Sequence, residues 1–140
     1  MLRPLLLGTF CGTIALTPAF AAAPLTGLWA ISRNHVQIRI APCGPVYCGR
    51  MVSADRLRQN PQIRDKMNRD PRLRARPIGG LVVLSGFTGG PTKWTGGSVY
   101  NPDDGRTYRS EMTMVADNTL KVTGCVIKPL CKSQTLTRVR

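Results

Sequence analysis

The chain has 140 residues, enough for one domain. It carries 20 Lys plus Arg against 7 Asp plus Glu, a formal net charge of +13, with one histidine and 42% hydrophobic residues. That balance excludes a disordered tail and a bundle of membrane helices. One histidine and seven carboxylates leave few parts for a hydrolase or a metal enzyme.

The first twenty-odd residues have the layout of a secretory signal. Arg3 supplies the positive start, and Leu5 to Leu16 form an apolar stretch closed by Pro18 and Pro24. That stretch is about 12 residues, short of the roughly 20 that span a bilayer. Ala19-Phe20-Ala21 and Ala21-Ala22-Ala23 place small residues where a signal peptidase reads them. Residues 1–21 are therefore read as a signal peptide cut after Ala21 or Ala23, and 22–140 as a single domain. That domain has no transmembrane segment and is destined for the periplasm or secretion. Cleavage removes Cys11 and leaves Cys43, Cys48, Cys125 and Cys131. An even count in an exported chain points to two disulfides, and spacing favours Cys43–Cys48 and Cys125–Cys131 among the three pairings. A four-cysteine zinc site is the alternative, but its ligand pairs usually sit two to four apart.

Gly27 to Arg33 reads as a first strand, and Val36-Gln37-Ile38-Arg39-Ile40 alternates strictly, the mark of a strand with one wet face. Cys43-Gly44-Pro45 turns the chain, and Val46 to Val52 returns. Leu81 to Leu84 and Trp94 to Tyr100 follow. Gly89-Gly90 and Gly96-Gly97 lie between no strand and helix, so they read as turns or bulges instead of a phosphate loop. Asn101-Pro102-Asp103-Asp104-Gly105 is a turn, its Asp-Gly pair suited to positive φ. Thr107 to Val115, Leu120 to Val126 and Ser133 to Val139 complete about eight short strands. The fold class is all-β, a small antiparallel up-and-down barrel, because closure removes the exposed edges of such a meander.

Residues 53–77 are the exception, an Arg- and Pro-rich excursion. From Arg50 to Arg76 there are nine basic residues against Asp55, Asp65 and Asp70. Asn60-Pro61 predicts a short capped helix running to about Met67 and stopped by Asp70-Pro71. The arginines Arg64, Arg69, Arg72, Arg74 and Arg76 form a candidate surface for an anionic envelope component, since guanidinium groups bind phosphate and carboxylate bidentately. The competing expectation is a solvated loop with Arg64, Arg69 and Arg74 paired to Asp65 and Asp70.

Several stretches resemble one bacterial envelope family, the domain of unknown function 2147 family. They are Gly27-Leu28-Trp29, Cys48-Gly49-Arg50, Asn68 to Pro77, Trp94 to Tyr108, Leu120 to Cys125 and Gln134 to Val139. A tryptophan is usual in the closing motif where this chain has Leu136. The resemblance implies a small exported β-rich domain and brings no catalytic residues. A second, fainter resemblance is to lipocalin-like barrels, whose Gly-x-Trp opens the first strand under an arginine from the last. It implies that Trp29 and Arg138 close one barrel end by a cation–π contact.

Catalytic constellations are scarce. His35 would have to work with Ser32, Ser53 or Ser110, and no nucleophile elbow surrounds any of them. Asp104 with Glu111 is the carboxylate pair to consider for a hydrolase of unrecognised type, and Tyr100, Asp104 and Tyr108 the place where polar groups would converge. No catalytic residue, cofactor or metal is expected. Export separates the chain from nucleic acid, and eight aromatics supply little stacking. The first functional expectation is a non-enzymatic envelope-interaction domain acting through the arginines. The alternative is a carrier of a small apolar ligand, with Trp29, Phe87, Trp94 and Tyr100 as barrel-interior candidates together with Tyr108, Met112 and Met114. At eight strands the commoner outcome is that such residues simply fill the barrel. The intact mass of the exported protein tests the first half of this reading: a chain beginning at Ala22 or Pro24, lighter by four hydrogens. Free thiols or an uncut leader would contradict it.

Overall fold

Residues 24–140 are the part of the chain that the computed structural model describes, and the expected signal peptide with Cys11 lies outside them. Eight strands follow one another around the barrel, each paired antiparallel with its neighbours in sequence, and β8 closes on β1. They are β1 (Gly27–Ile31), β2 (Val36–Cys43), β3 (Val46–Ser53), β4 (Val82–Gly89), β5 (Lys93–Asn101), β6 (Arg106–Ala116), β7 (Thr119–Ile127) and β8 (Leu130–Arg138). The alternation in β2 is realised as expected, with Ile38 and Ile40 buried and Arg39 exposed between them. Gly96-Gly97 sits at an irregularity in the β5–β6 ladder, as a bulge should.

Large side chains fill one end of the barrel. Trp29, Ile40, Phe87, Met112, Leu120 and Leu136 are fully buried there, with Trp94 nearly so. They come from seven of the eight strands. Phe87 fits only because β5 offers Gly97 opposite it: a Cβ at that position would lie 2.4 Å from the phenyl ring. Leu136 is 1% exposed and packs into this floor.

The seam that closes the barrel is short. Only Trp29↔Arg138 and Ala30↔Thr137 pair between β1 and β8. Side chains reinforce it. The Arg138 guanidinium lies over the Trp29 ring, 4.2 Å from its centroid, and donates to the carbonyls of Thr26 and Pro24. The Trp29 indole donates to the Leu25 carbonyl at 2.9 Å. The disulfides are Cys43–Cys48, beside the β2–β3 turn, and Cys125–Cys131, across β7 and β8.

The excursion departs from the sequence expectation. The helix α1 covers Asp55–Gln59 and ends before Asn60. Asn60 does cap locally, its side chain accepting from the Gln62 amide, but no helix follows. Instead Ile63–Asp65 runs beside Arg76–Ile78, with Asp65 N donating to Arg76 O and Ile78 N to Ile63 O. A helix over 60–67 would forfeit that pairing and could not turn Asp65 inward as observed. The Asp-Pro pair expected to stop a helix starts one. Asp70 accepts from the Arg72 amide and Pro71 opens a 3-10 turn over Pro71–Leu73. The expected ion pairs also shift: Arg72 meets Asp70 and Arg76 meets Asp65, while Arg64 and Arg74 donate to backbone carbonyls.

Replacing Arg138 by Ser removes the cation–π contact and both carbonyl contacts, a loss of about 2 kcal/mol. Thermal unfolding should fall by roughly 8 °C. An unchanged Tm would mean that the seam does not depend on this side chain.

Candidate functional site

The barrel is not filled along its whole length. Above the floor of large residues several inward positions are small: Val83 on β4, Val99 on β5, Val122 and Gly124 on β7. The space they leave is a cavity of about 740 Å³, within the roughly 300–1,000 Å³ of small-molecule sites. The expected filling of the barrel is thus confined to the floor. The cavity's inner walls are mainly aliphatic (Ile31, Ile38, Met51, Leu84), with Gln134 and Lys132 of β8 on one side and Arg33, Asn34, Arg56, Asn101, Asp103 and Asp104 of the connections around its mouth.

The excursion roofs this cavity. The β1–β2, β3–β4, β5–β6 and β7–β8 connections share one end of the barrel. The β3–β4 connection is the long one, and its apolar residues Leu57, Ile63 and Ile78 face the cavity. Ala54 at the start of the connection lines the cavity too and Leu81 at its end is buried in the core, whereas Met67 and Leu73 point out, at 59% and 39% exposure. The basic stretch is thus a strap with an apolar underside.

A buried carboxylate fixes the strap to the barrel. Asp65 is fully buried and accepts three hydrogen bonds: from the Tyr100 hydroxyl at 2.6 Å, Asn68 Nδ2 at 2.9 Å and Arg76 Nε at 2.9 Å. Tyr100 belongs to β5, so the strap is held directly to the wall. The Arg76 guanidinium also lies over the Tyr100 ring, 5.2 Å from its centroid. Burial works against the Asp65 charge, but the donors outweigh it and hold the carboxyl below its ordinary value. Burial and the neighbouring Asp65 push the Tyr100 phenol up. Around the rim, Arg56 of α1 reaches Asp103 in the β5–β6 turn, and Asp55 meets both His35 and Arg58. Gly105, at φ +69°, packs against the strap so closely that a Cβ would lie 1.8 Å from the Met67 carbonyl oxygen. The stretches Asn68 to Pro77 and Trp94 to Tyr108, far apart in sequence, meet here.

The barrel-interior candidates divide by height. Trp29, Phe87, Trp94 and Met112 belong to the packed floor, and Met114 is half-buried against it. Tyr100 and Tyr108 line the cavity. Among the arginines, Arg76 is part of the buried cluster, Arg64, Arg72 and Arg74 carry local hydrogen bonds, and Arg69 is exposed. Leu57, Ile63, Ile78, Asn68, Lys132 and Gln134 were not singled out by sequence. The isolated apolar residues of an otherwise basic segment carried the only signal for the first three.

The polar groups considered for chemistry have other partners among the described residues. The Tyr108 hydroxyl donates to Asp104, whose carboxylate also accepts from the Arg106 amide. Burial opposes the Asp104 charge, and these donors still keep it below its ordinary value. That aspartate serves its turn. Glu111 instead meets Lys93 at 3.3 Å on the exposed face. Ser53 accepts from Arg58, and Ser110 donates to the Tyr108 carbonyl, so neither serine meets His35.

A family model described as an uncharacterized protein conserved in bacteria (DUF2147) matches residues 27–138. No curated protein matches the chain. Among solved structures, a Helicobacter pylori protein described as belonging to the lipocalin family superposes with a TM-score of 0.75. The two are 23% identical, and the match covers 84% of each chain. The likeness is one of fold: a lipocalin-like closed barrel.

The Asp65 cluster has a measurable signature. A carboxyl whose folded value is depressed stabilises the fold fully above its unfolded value near 3.8, and that contribution is lost as pH falls through the folded value. Asp65→Asn should cost about 3 kcal/mol at neutral pH, because Arg76 is left without its buried partner. In urea unfolding the gap between wild type and variant should narrow below about pH 4. A gap that stays constant down to pH 2.5 would show that the carboxylate charge is not what holds the strap.

Proposed function

The chain belongs to the DUF2147 family, and from that premise we propose that it is a non-enzymatic exported barrel that carries a small apolar ligand in the roofed cavity. The observation that carries this reading is the cavity of about 740 Å³ above the packed floor, where Val83, Val99, Val122 and Gly124 leave space between mainly aliphatic walls. A barrel meant only to be stable gains by filling such space, since empty apolar volume costs contacts on every side. The neighbour's description as a lipocalin supports the same reading by fold alone. Two disulfides favour an oxidising compartment, the periplasm or the exterior.

The arginine surface takes a second place in this account. An anionic envelope component remains the partner suggested by the net positive excursion, with the exposed Arg69 as its freest guanidinium. Yet Arg64, Arg72, Arg74 and Arg76 have hydrogen-bonding work within the strap. Binding through them would compete with the contacts that hold the roof.

Titration with the neutral apolar dye N-phenyl-1-naphthylamine tests the carrier reading. Saturable, blue-shifted fluorescence at one site per chain is expected. Val122→Trp, which puts an indole into the cavity, and Gln134→Trp, which narrows it from the β8 side without touching the core, should each weaken binding about tenfold or more. Absence of a saturable site, or equal binding by both variants, would refute it.

A further inference from the structure

The three most exposed large hydrophobic side chains among the described residues lie within five positions of one another: Val126 at 69%, Ile127 at 66% and Leu130 at 67%. They form the tip of the β7–β8 hairpin, whose two-residue loop is Lys128-Pro129. The tip is unsupported on both flanks. The β6–β7 ladder ends at Arg109↔Cys125; beyond it Ile127 pairs only with Leu130 of β8, and Val126 sits in the irregularity between the two pairs. The β8–β1 ladder ends at Thr137, so β8 from Leu130 to Leu136 has no partner on its outer edge. The hairpin therefore stands out from the rim as a two-stranded ribbon. Cys125 and Cys131, directly opposite one another at the base of the tip, are joined by a disulfide.

An isolated ribbon with an apolar tip is a poor choice for a surface that faces water alone. Its surroundings indicate what it meets. Lys128 lies within the tip, and Lys132 and Arg109 at its base. All three are exposed and none is in an ion pair among the described residues. The aspartates at this end of the barrel are engaged: Asp55 by Arg58, Asp103 by Arg56 and Asp104 by Tyr108. The whole chain carries +13. Apolar side chains at a tip, ringed by free cations on a strongly basic body, complement an anionic bilayer: hydrocarbon for the tip, lipid phosphates for the lysines.

We propose that the β7–β8 ribbon docks this protein on anionic phospholipid membranes, with Ile127 and its neighbours entering the headgroup boundary and Lys128 and Lys132 on lipid phosphates. Val126 and Leu130 also line the barrel cavity, together with Lys132 and Gln134 of β8 and Ile31 and Val36 of the first two strands. A docked ribbon thus sets the cavity mouth on the bilayer, where an apolar ligand can pass without crossing water; that last clause rests on the carrier reading, and the docking itself does not.

Flotation of the full domain with vesicles, no cavity ligand added, separates the two. Binding to phosphatidylglycerol-containing vesicles and little to pure phosphatidylcholine is expected. Ile127→Glu should reduce it at least tenfold, and Lys128→Glu about fivefold or more, by loss and reversal of a charge near the surface. Ile127→Trp adds an indole whose emission should shift to the blue on those vesicles and be quenched by brominated acyl chains. Far-ultraviolet circular dichroism and a thermal midpoint unchanged from the wild type control for folding in the Ile127 and Lys128 variants. Equal binding to both vesicle types, or binding to phosphatidylglycerol that Ile127→Glu leaves unchanged, would overturn the proposal and move the contact to the arginine strap. So would a concentration-dependent dimer abolished by Ile127→Glu without any vesicle binding. Loss of dye binding in the wild type with vesicle binding intact would overturn the carrier reading alone.

Discussion

The carboxylate of Asp65 is the point on which the arrangement turns. It is buried without solvent contact, and a charge so placed persists only when donors surround it. Tyr100 comes from the barrel wall, and Asn68 and Arg76 come from the two limbs of the strap. One acceptor therefore joins a 28-residue connection to β5 at its middle. Without it the strap would keep its backbone pairing and its surface ion pairs, which contribute little, but would lose the buried charged link that holds it to the wall beside Tyr100. The positive charge that dominates the composition is in part the counterpart of this single buried negative one.

The two ends of the barrel follow opposite packing rules. At the floor, large side chains converge, Gly97 yields its space to Phe87, and the Arg138–Trp29 contact closes the short seam between first and last strands. At the mouth, small inward residues, a strap and a projecting hairpin replace dense packing. A protein interior is ordinarily filled to near-crystalline density. The large departure from that rule beneath the strap is the feature on which the carrier reading rests.

The strands, their order and both disulfides were legible in the sequence because each depends on local information: alternation in Val36–Ile40, the Asp-Gly turn before β6, and the close spacing within each cysteine pair. The closure contact between Trp29 and Arg138 followed from a family likeness and was found in place. The strap was misread because its structure is set by distant partners. Asn60-Pro61 has the residues of a helix start, yet Asp65 must turn toward Tyr100, 35 positions away, and that requirement overrides the local signal. The cavity was equally hidden: whether Val83, Val99 and Val122 fill or line a space depends on what stands opposite each, and no local pattern records it. Five arginines looked alike in sequence and acquired different roles only through the fold.

The central claim, that the roofed cavity holds a small apolar guest, is tested most directly by native mass spectrometry of the protein purified gently from its own exporting host. The account predicts a complex heavier than the two-disulfide chain by one small apolar molecule, released on denaturation. A chain that flies only at its own mass, and takes up no apolar molecule from a lipid extract of that host, would contradict it.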